Sequence, residues 1–119
     1  MQNSKLYDLE ERTLEFSKRI IRLCKALPKD RVNDVIVNQL LRSSTSIGAN
    51  YREANETDSK KDFQNKIRIA KKESKETIYW IELIIEANPT FEKRTSRLLI
   101  ESKELIKILC TIYDKIKMN

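Results

Sequence analysis

The sequence predicts an all-α protein, an antiparallel up-down-up-down four-helix bundle, and three observations carry that prediction. The 119-residue chain holds one Gly and two Pro, so little interrupts a helix and little supplies the tight turns of a β architecture. Apolar residues recur at alternating three- and four-residue spacing in four separate segments, the pattern of a buried helical seam. Turn and capping residues fall between those segments, at Ala26 to Arg31, Asn55 to Ser59 and Ala87 to Thr90. A chain of this length can bury a core without disulfides or a structural metal, so one domain over 1–119 is expected.

The first helix is expected over roughly 6–27, with Leu9, Thr13, Phe16, Ile20, Leu23 and Leu27 on its seam. Its acids Asp8, Glu10, Glu11 and Glu15 precede its bases Lys18, Arg19, Arg22 and Lys25, the order that the helix macrodipole favours. Pro28 opposes continuation because its ring clashes and its N–H is missing, and Asp30 then offers an N-cap. The second helix, 31–56, places Ile36, Leu40, Ser44, Ile47, Tyr51 and Ala54 inward. Its middle is made of small residues, Ser43 to Ser46, Gly48 and Ala49. Such residues are poor helix formers, and their size suits the close approach of another backbone.

Ser59, with Asp62 three residues on, forms a variant of the capping box before the third helix, 60–87. The seam there is Phe63, Ile67, Ala70, Ser74, Thr77, Ile81 and Ile84. Asn88 and Pro89 mark the next break, with Pro where a helix start tolerates it. The fourth helix, 90–117, turns Leu98, Ser102, Leu105, Leu109, Ile112 and Ile116 inward. Four amphipathic helices on short connections bury these stripes only against one another.

Further apolar residues lie off the seams: Tyr7, Leu14 and Ile21 in the first helix, Ile69 and Trp80 in the third, Ile100 and Ile108 in the fourth. They fit either a wide core or a subunit interface, and the pattern favours the interface. These seven are the candidate oligomer contacts.

The chain has no histidine, which removes Ser/His/Asp and Cys/His nucleophilic arrangements and His-based metal sites. A single glycine, Gly48, cannot build a P-loop or a dinucleotide fingerprint. Carboxylate pairs such as Glu73 with Glu76 and Glu82 with Glu86 sit among Arg68, Lys72 and Lys75, which reads as solvated ion pairing rather than acid–base chemistry. Cys24 and Cys110 stand alone in separate helices and read as packing residues. The expectation is a protein with no catalytic, cofactor or metal site. The polar start and the lack of a long uncharged apolar run give a soluble, cytoplasmic, non-membrane protein as the expected class.

Charge is the remaining signal. With 24 basic and 18 acidic residues the formal charge is +6, compatible with a polyanion partner without demanding one. Lys61, Arg68, Lys72 and Lys75 project opposite the third seam, and Tyr79 continues the row. Lysines at a helix N-terminus oppose the macrodipole, so Lys60 and Lys61 cost a little stability. Antiparallel topology would add Lys93, Arg94 and Arg97 to the basic end of the first helix, and would bring Arg52 and the basic half of the third helix near Lys115 and Lys117. Two readings stay open: a phosphate-binding surface or a solvated face.

The stretch Leu40 to Ala54, Leu-Leu-Arg-Ser-Ser-Thr-Ser-Ile-Gly-Ala-Asn-Tyr-Arg-Glu-Ala, is followed by Asp62-Phe63, Lys66, Ile69-Ala70, Lys72-Glu73, Glu76-Thr77 and Tyr79-Trp80. It resembles a bacterial four-helix-bundle family encoded by intervening sequences of large-subunit ribosomal RNA genes, similar to the accessory variability proteins of diversity-generating retroelements. The resemblance implies a homopentameric ring of bundles without enzymatic activity. In the retroelement relatives it implies nucleic-acid binding through a basic surface and association with a reverse transcriptase. Arg42 and Arg52 fall on the matching motif, where they are equally suited to structural ion pairs. Candidate nucleic-acid contacts are therefore Arg42, Arg52, Lys61, Arg68, Lys71, Lys72 and Lys75; the rival expectation is an adaptor whose partner is another protein.

Overall fold

The structure, a computed structural model, describes residues 5–117, with side chains from Leu9 to Ile116. It is built from α1 (Lys5–Ala26), α2 (Arg31–Asn55), α3 (Lys60–Ala87) and α4 (Glu92–Lys117), and a single 3-10 turn, Pro89–Phe91, leads into α4. No strand occurs among the described residues. The caps are those the sequence called for. The Asp30 carboxylate accepts the Asn33 N–H at 2.8 Å, and the Ser59 hydroxyl accepts the Asp62 N–H at 3.0 Å, each satisfying an amide that a bare helix start leaves unpaired. Pro89 enters as the first residue of the 3-10 turn, so α4 proper begins at Glu92 rather than at Thr90.

Successive helices run antiparallel. Side-chain pairs between α2 and α3 match Asn33 with Asn88, Ser43 with Thr77 and Glu53 with Lys66, so one index rises as the other falls. Thr13 against Gly48 and Glu10 against Asn55 do the same for α1 and α2. Lys71, whose ammonium sits 4.2 Å from the ring centre of Tyr113, relates α3 to α4. Arg12 closes the fourth side, its guanidinium donating to Glu101 at 2.7 and 2.9 Å and to Glu104 at 3.1 Å. These two carboxylates raise the guanidinium's already high pKa still further.

Inside lie the seams. Phe16, Ile20, Leu23, Leu40, Ile47, Ile67, Ile81 and Leu105 are buried to within 1% of complete, each contributing about 1.5–3 kcal/mol by its removal from water. Phe63 and Ile112 are half-buried and pack on the edge of this core. Tyr51 is fully buried; burial pushes its phenol pKa up, and a hydrogen bond with Asn55 pulls the other way.

Two features concern polar groups in this interior. Asn33 and Asn88, each at most 5% exposed, exchange reciprocal amide hydrogen bonds of 2.9 Å, while Asn33 also donates to the Pro28 carbonyl at 2.9 Å and Asn88 to that of Ile84 at 3.1 Å. The pair ties the α1–α2 turn to the end of α3. The hydroxyls of Ser43 and Thr77 share a hydrogen bond of 2.9 Å, whereas the neighbouring Ser44 Oγ is buried without a partner among the described residues. The small-residue run in α2 has the use its sequence suggests. A Cβ on Gly48 would stand 2.9 Å from Thr13 Oγ1 and 3.0 Å from Thr13 Cβ, closer than packed atoms tolerate.

Two outcomes follow for stability. Gly48→Ala should lower it by about 1–3 kcal/mol through overpacking, although Ala is the better helix former, and Thr13→Ala in the same chain should restore part of the loss; urea titration followed by circular dichroism measures both. Ser44→Ala should be neutral or stabilising, because it deletes an unsatisfied hydroxyl, while Ser43→Ala, which removes one of two acceptors of the Thr77 hydroxyl and leaves the Glu73 carbonyl at 2.8 Å, should cost no more than about 1 kcal/mol.

Candidate functional site

The basic residues singled out from the sequence divide into two groups. Arg42 is spent inside the fold: from α2 its guanidinium donates to Glu73 at 3.2 Å and to Glu76, both on α3. Glu76 also accepts the Trp80 indole N–H at 2.9 Å, so one carboxylate joins the two helices and fixes the chain's one tryptophan. Arg52 lies 4.0 Å from Glu10 on α1. Both are structural ion pairs in this arrangement, with part of each guanidinium still open to solvent.

Lys61, Arg68, Lys72 and Lys75 form the other group. All four are exposed, and none has a carboxylate within 4.0 Å among the described residues. They recur at seven-, four- and three-residue steps along α3, a line of about 21 Å at the rise of an α-helix. Lys71, one position from Lys72, is half-buried and lies over Tyr113 of α4. That contact sets the level of α4 against α3 and brings exposed Lys107 alongside the Lys75 to Ile78 turn, with exposed Lys103 one turn further. Sequence reasoning did not single out Lys103 and Lys107. Their spacing of four, on the side of α4 away from Leu98 and Leu105, was the available signal. The row therefore lies on the outer side of α3, Lys107 and Lys103 lie level with and beyond its C-terminal end on α4, and Arg52 and Arg42 stand apart on α2.

The candidate interface residues also separate. Trp80 and Ile108 are half-buried and pack against the core, so they widen it; Ile69 is half-buried. Leu14, Ile21 and Ile100 remain 38%, 43% and 63% exposed. The side chain of Tyr7 lies outside the described residues. Three further apolar side chains, Val32, Val35 and Tyr79, are more than half exposed and were not among the candidates.

The sequence profile of the 23S rRNA-intervening sequence proteins matches residues 6–111. The chain belongs to that family. Among solved structures, a protein of unknown function from the S23 ribosomal protein family of Bacteroides thetaiotaomicron VPI-5482 is 42% identical and superposes with a TM-score of 0.77, over 87% of this chain and 96% of that one. A search of curated proteins gave no match. The family match covers all four helices up to Thr111, and with it the Leu40 to Ala54 stretch and the α3 row.

The cysteines are free thiols. Cys24 is buried between α1 and α2, and burial pushes its pKa up to about 11. The folded state therefore holds this proton more tightly than the unfolded chain does. The associated stability is present at neutral pH and is lost as pH rises from the ordinary thiol range through 11. Alkylation by iodoacetamide at pH 8, followed by peptide mass mapping, should modify half-buried Cys110 well before Cys24.

Proposed function

We propose that this protein is a non-enzymatic, cytoplasmic homo-oligomer that binds RNA or DNA through phosphate contacts made by its α3–α4 surface. The observation that carries the reading is the row of Lys61, Arg68, Lys72 and Lys75: four exposed cations on one helix, none neutralised by a neighbouring carboxylate among the described residues. A solubilising face gains from interspersed signs, and this chain does interleave them elsewhere, as with Arg22 and Glu15 or Lys66 and Glu53. An uninterrupted run of one sign is what a polyanion rewards, since each phosphate neutralised releases condensed counterions. Lys107 on α4 adds a further exposed cation near the C-terminal end of the row, and the aromatic ring of Tyr79 there offers a stacking surface for an unpaired base. Membership of a family named for a 23S rRNA intervening sequence makes structured RNA the first polyanion to test.

The residues contact phosphate and no base edge is singled out, so the binding is indifferent to sequence and sensitive to salt. If the four cations of one subunit each engage a phosphate of a single strand, log K should fall against log salt with a slope of about −3. Lys72→Glu with Lys75→Glu should reduce that slope by about 1.5 or more while leaving thermal stability within about 0.5 kcal/mol. Fluorescence anisotropy on labelled RNA over a salt series measures it. Absence of binding at low salt in a folded, assembled sample would exclude the reading, and a stoichiometric co-purifying protein with no nucleic acid would favour the adaptor alternative.

A further inference from the structure

The one exposed aromatic side chain in line with the α3 cations has a support of its own. Tyr79 follows Lys72 and Lys75 on the same face of α3, seven and four residues on, which is about 10 and 6 Å along the helix. It is 55% exposed. Its ring meets that of Trp80 edge to face, with centroids 5.0 Å apart and planes at 69°. Trp80 is fixed in turn, since its indole N–H donates to Glu76 at 2.9 Å and Glu76 also holds Arg42 of α2. A chain of contacts anchored on two helices therefore keeps the Tyr79 ring in place while more than half of the residue faces water.

The sign of the charge changes at this residue. Before it stand the four unpaired cations; exposed Glu82 and Glu86, three and seven residues beyond it, have no cation within 4.0 Å among the described residues. Single apolar side chains on a surface are ordinary, but an anchored ring between a row of cations and a pair of acids is a more specific arrangement. Paired and unpaired strands meet it differently. In a duplex each base face is covered by its neighbours, whereas an unpaired base presents its π-face to an aromatic ring. A duplex is also stiff over lengths far beyond that of α3, so one that lies along the row and overruns it carries its phosphates across Glu82 and Glu86. A single strand can bend away once its base has stacked.

We propose that Tyr79 is a specificity-determining residue that stacks an unpaired base and makes the α3 surface selective for single-stranded nucleic acid over the double helix, so that within a folded RNA it takes a loop or a free end. The cations of the row supply an attraction common to both forms. Tyr79 adds to it for the single strand, and Glu82 with Glu86 subtracts from it for the duplex, the attractive and repulsive halves of a discrimination. Because Trp80 already sets the ring, stacking orders little that was free. This inference rests on the phosphate-binding function proposed above and adds to it the form of the strand that is bound.

Fluorescence anisotropy tests it with a labelled RNA of about sixteen nucleotides, used first as a strand without self-pairing and then annealed to its complement, against wild-type protein and exposed-surface variants whose helical content is checked by circular dichroism. Tyr79→Ala should weaken single-strand binding by about five- to a hundredfold and leave duplex binding within about twofold. Its salt slope should stay that of the wild type, because no phosphate contact is lost. Tyr79→Phe, which keeps the ring, should bind the single strand as the wild type does. Glu82→Gln with Glu86→Gln should raise duplex affinity by about threefold or more relative to single-strand affinity, since it removes the like charge that the duplex meets. A Tyr79→Ala variant that loses both affinities equally or neither, a Tyr79→Phe variant as weak as Tyr79→Ala, or glutamines that raise both affinities alike would each overturn the inference, while a salt slope that still depends on Lys72 and Lys75 leaves the phosphate-binding function standing. Wild-type protein that binds neither form at low salt would overturn both.

Discussion

The buried amide pair of Asn33 and Asn88 fixes what the rest of the molecule is built around. Apolar seams alone are forgiving: one helix can slide past another by a turn and still cover greasy surface. Two carboxamides shut away from water cannot, because a slip leaves several polar atoms without partners at about 1–3 kcal/mol each. The pair thereby locks α2 to α3, and with them the loop carbonyl of Pro28. Ser43 with Thr77 and Arg42 with Glu73 and Glu76 then fall into place along the same seam. Because α3 is held at one height, its outer face presents the lysine row with Tyr79 at its end, while Trp80 turns toward α2 through Glu76 and Arg42.

Most of the architecture was legible in the sequence because it depends on periodicity and punctuation. Asp30, Ser59 and the Leu9 to Leu27 seam behave as their spacing demanded. Recognition of the family from the Leu40 to Ala54 stretch agrees with the profile match over residues 6–111. The start of α4 differs by one turn, because Asn88 folds back to the core through its side chain and Pro89 opens a tighter turn before the α-helix sets in.

The functional surface was only half legible. A helical wheel shows which residues share a face of one helix and says nothing of what the next helix places beside them. Arg42 therefore looked as free as Lys72, and only the register across α2 and α3 reveals that two glutamates hold it. Lys107 looked unremarkable within α4 until the Lys71–Tyr113 contact placed it level with the end of the α3 row. Val32 and Val35 lie at the start of a helix, where a wheel has too few turns to show that they stay more than half exposed.

The four sides of the bundle are unequal, and that inequality orders how the molecule comes apart. α2 and α3 meet along their whole length through both apolar and polar contacts, whereas α1 meets α4 over a short stretch centred on Arg12 and its two glutamates. The central hairpin is thus the most cooperative unit, and the side where α1 meets α4 is the least extensively joined. Amide protons of α1 should therefore exchange with solvent through a partial opening that leaves α2 and α3 closed. A chain built this way is expected to open first along its narrowest seam, the one between its two terminal helices.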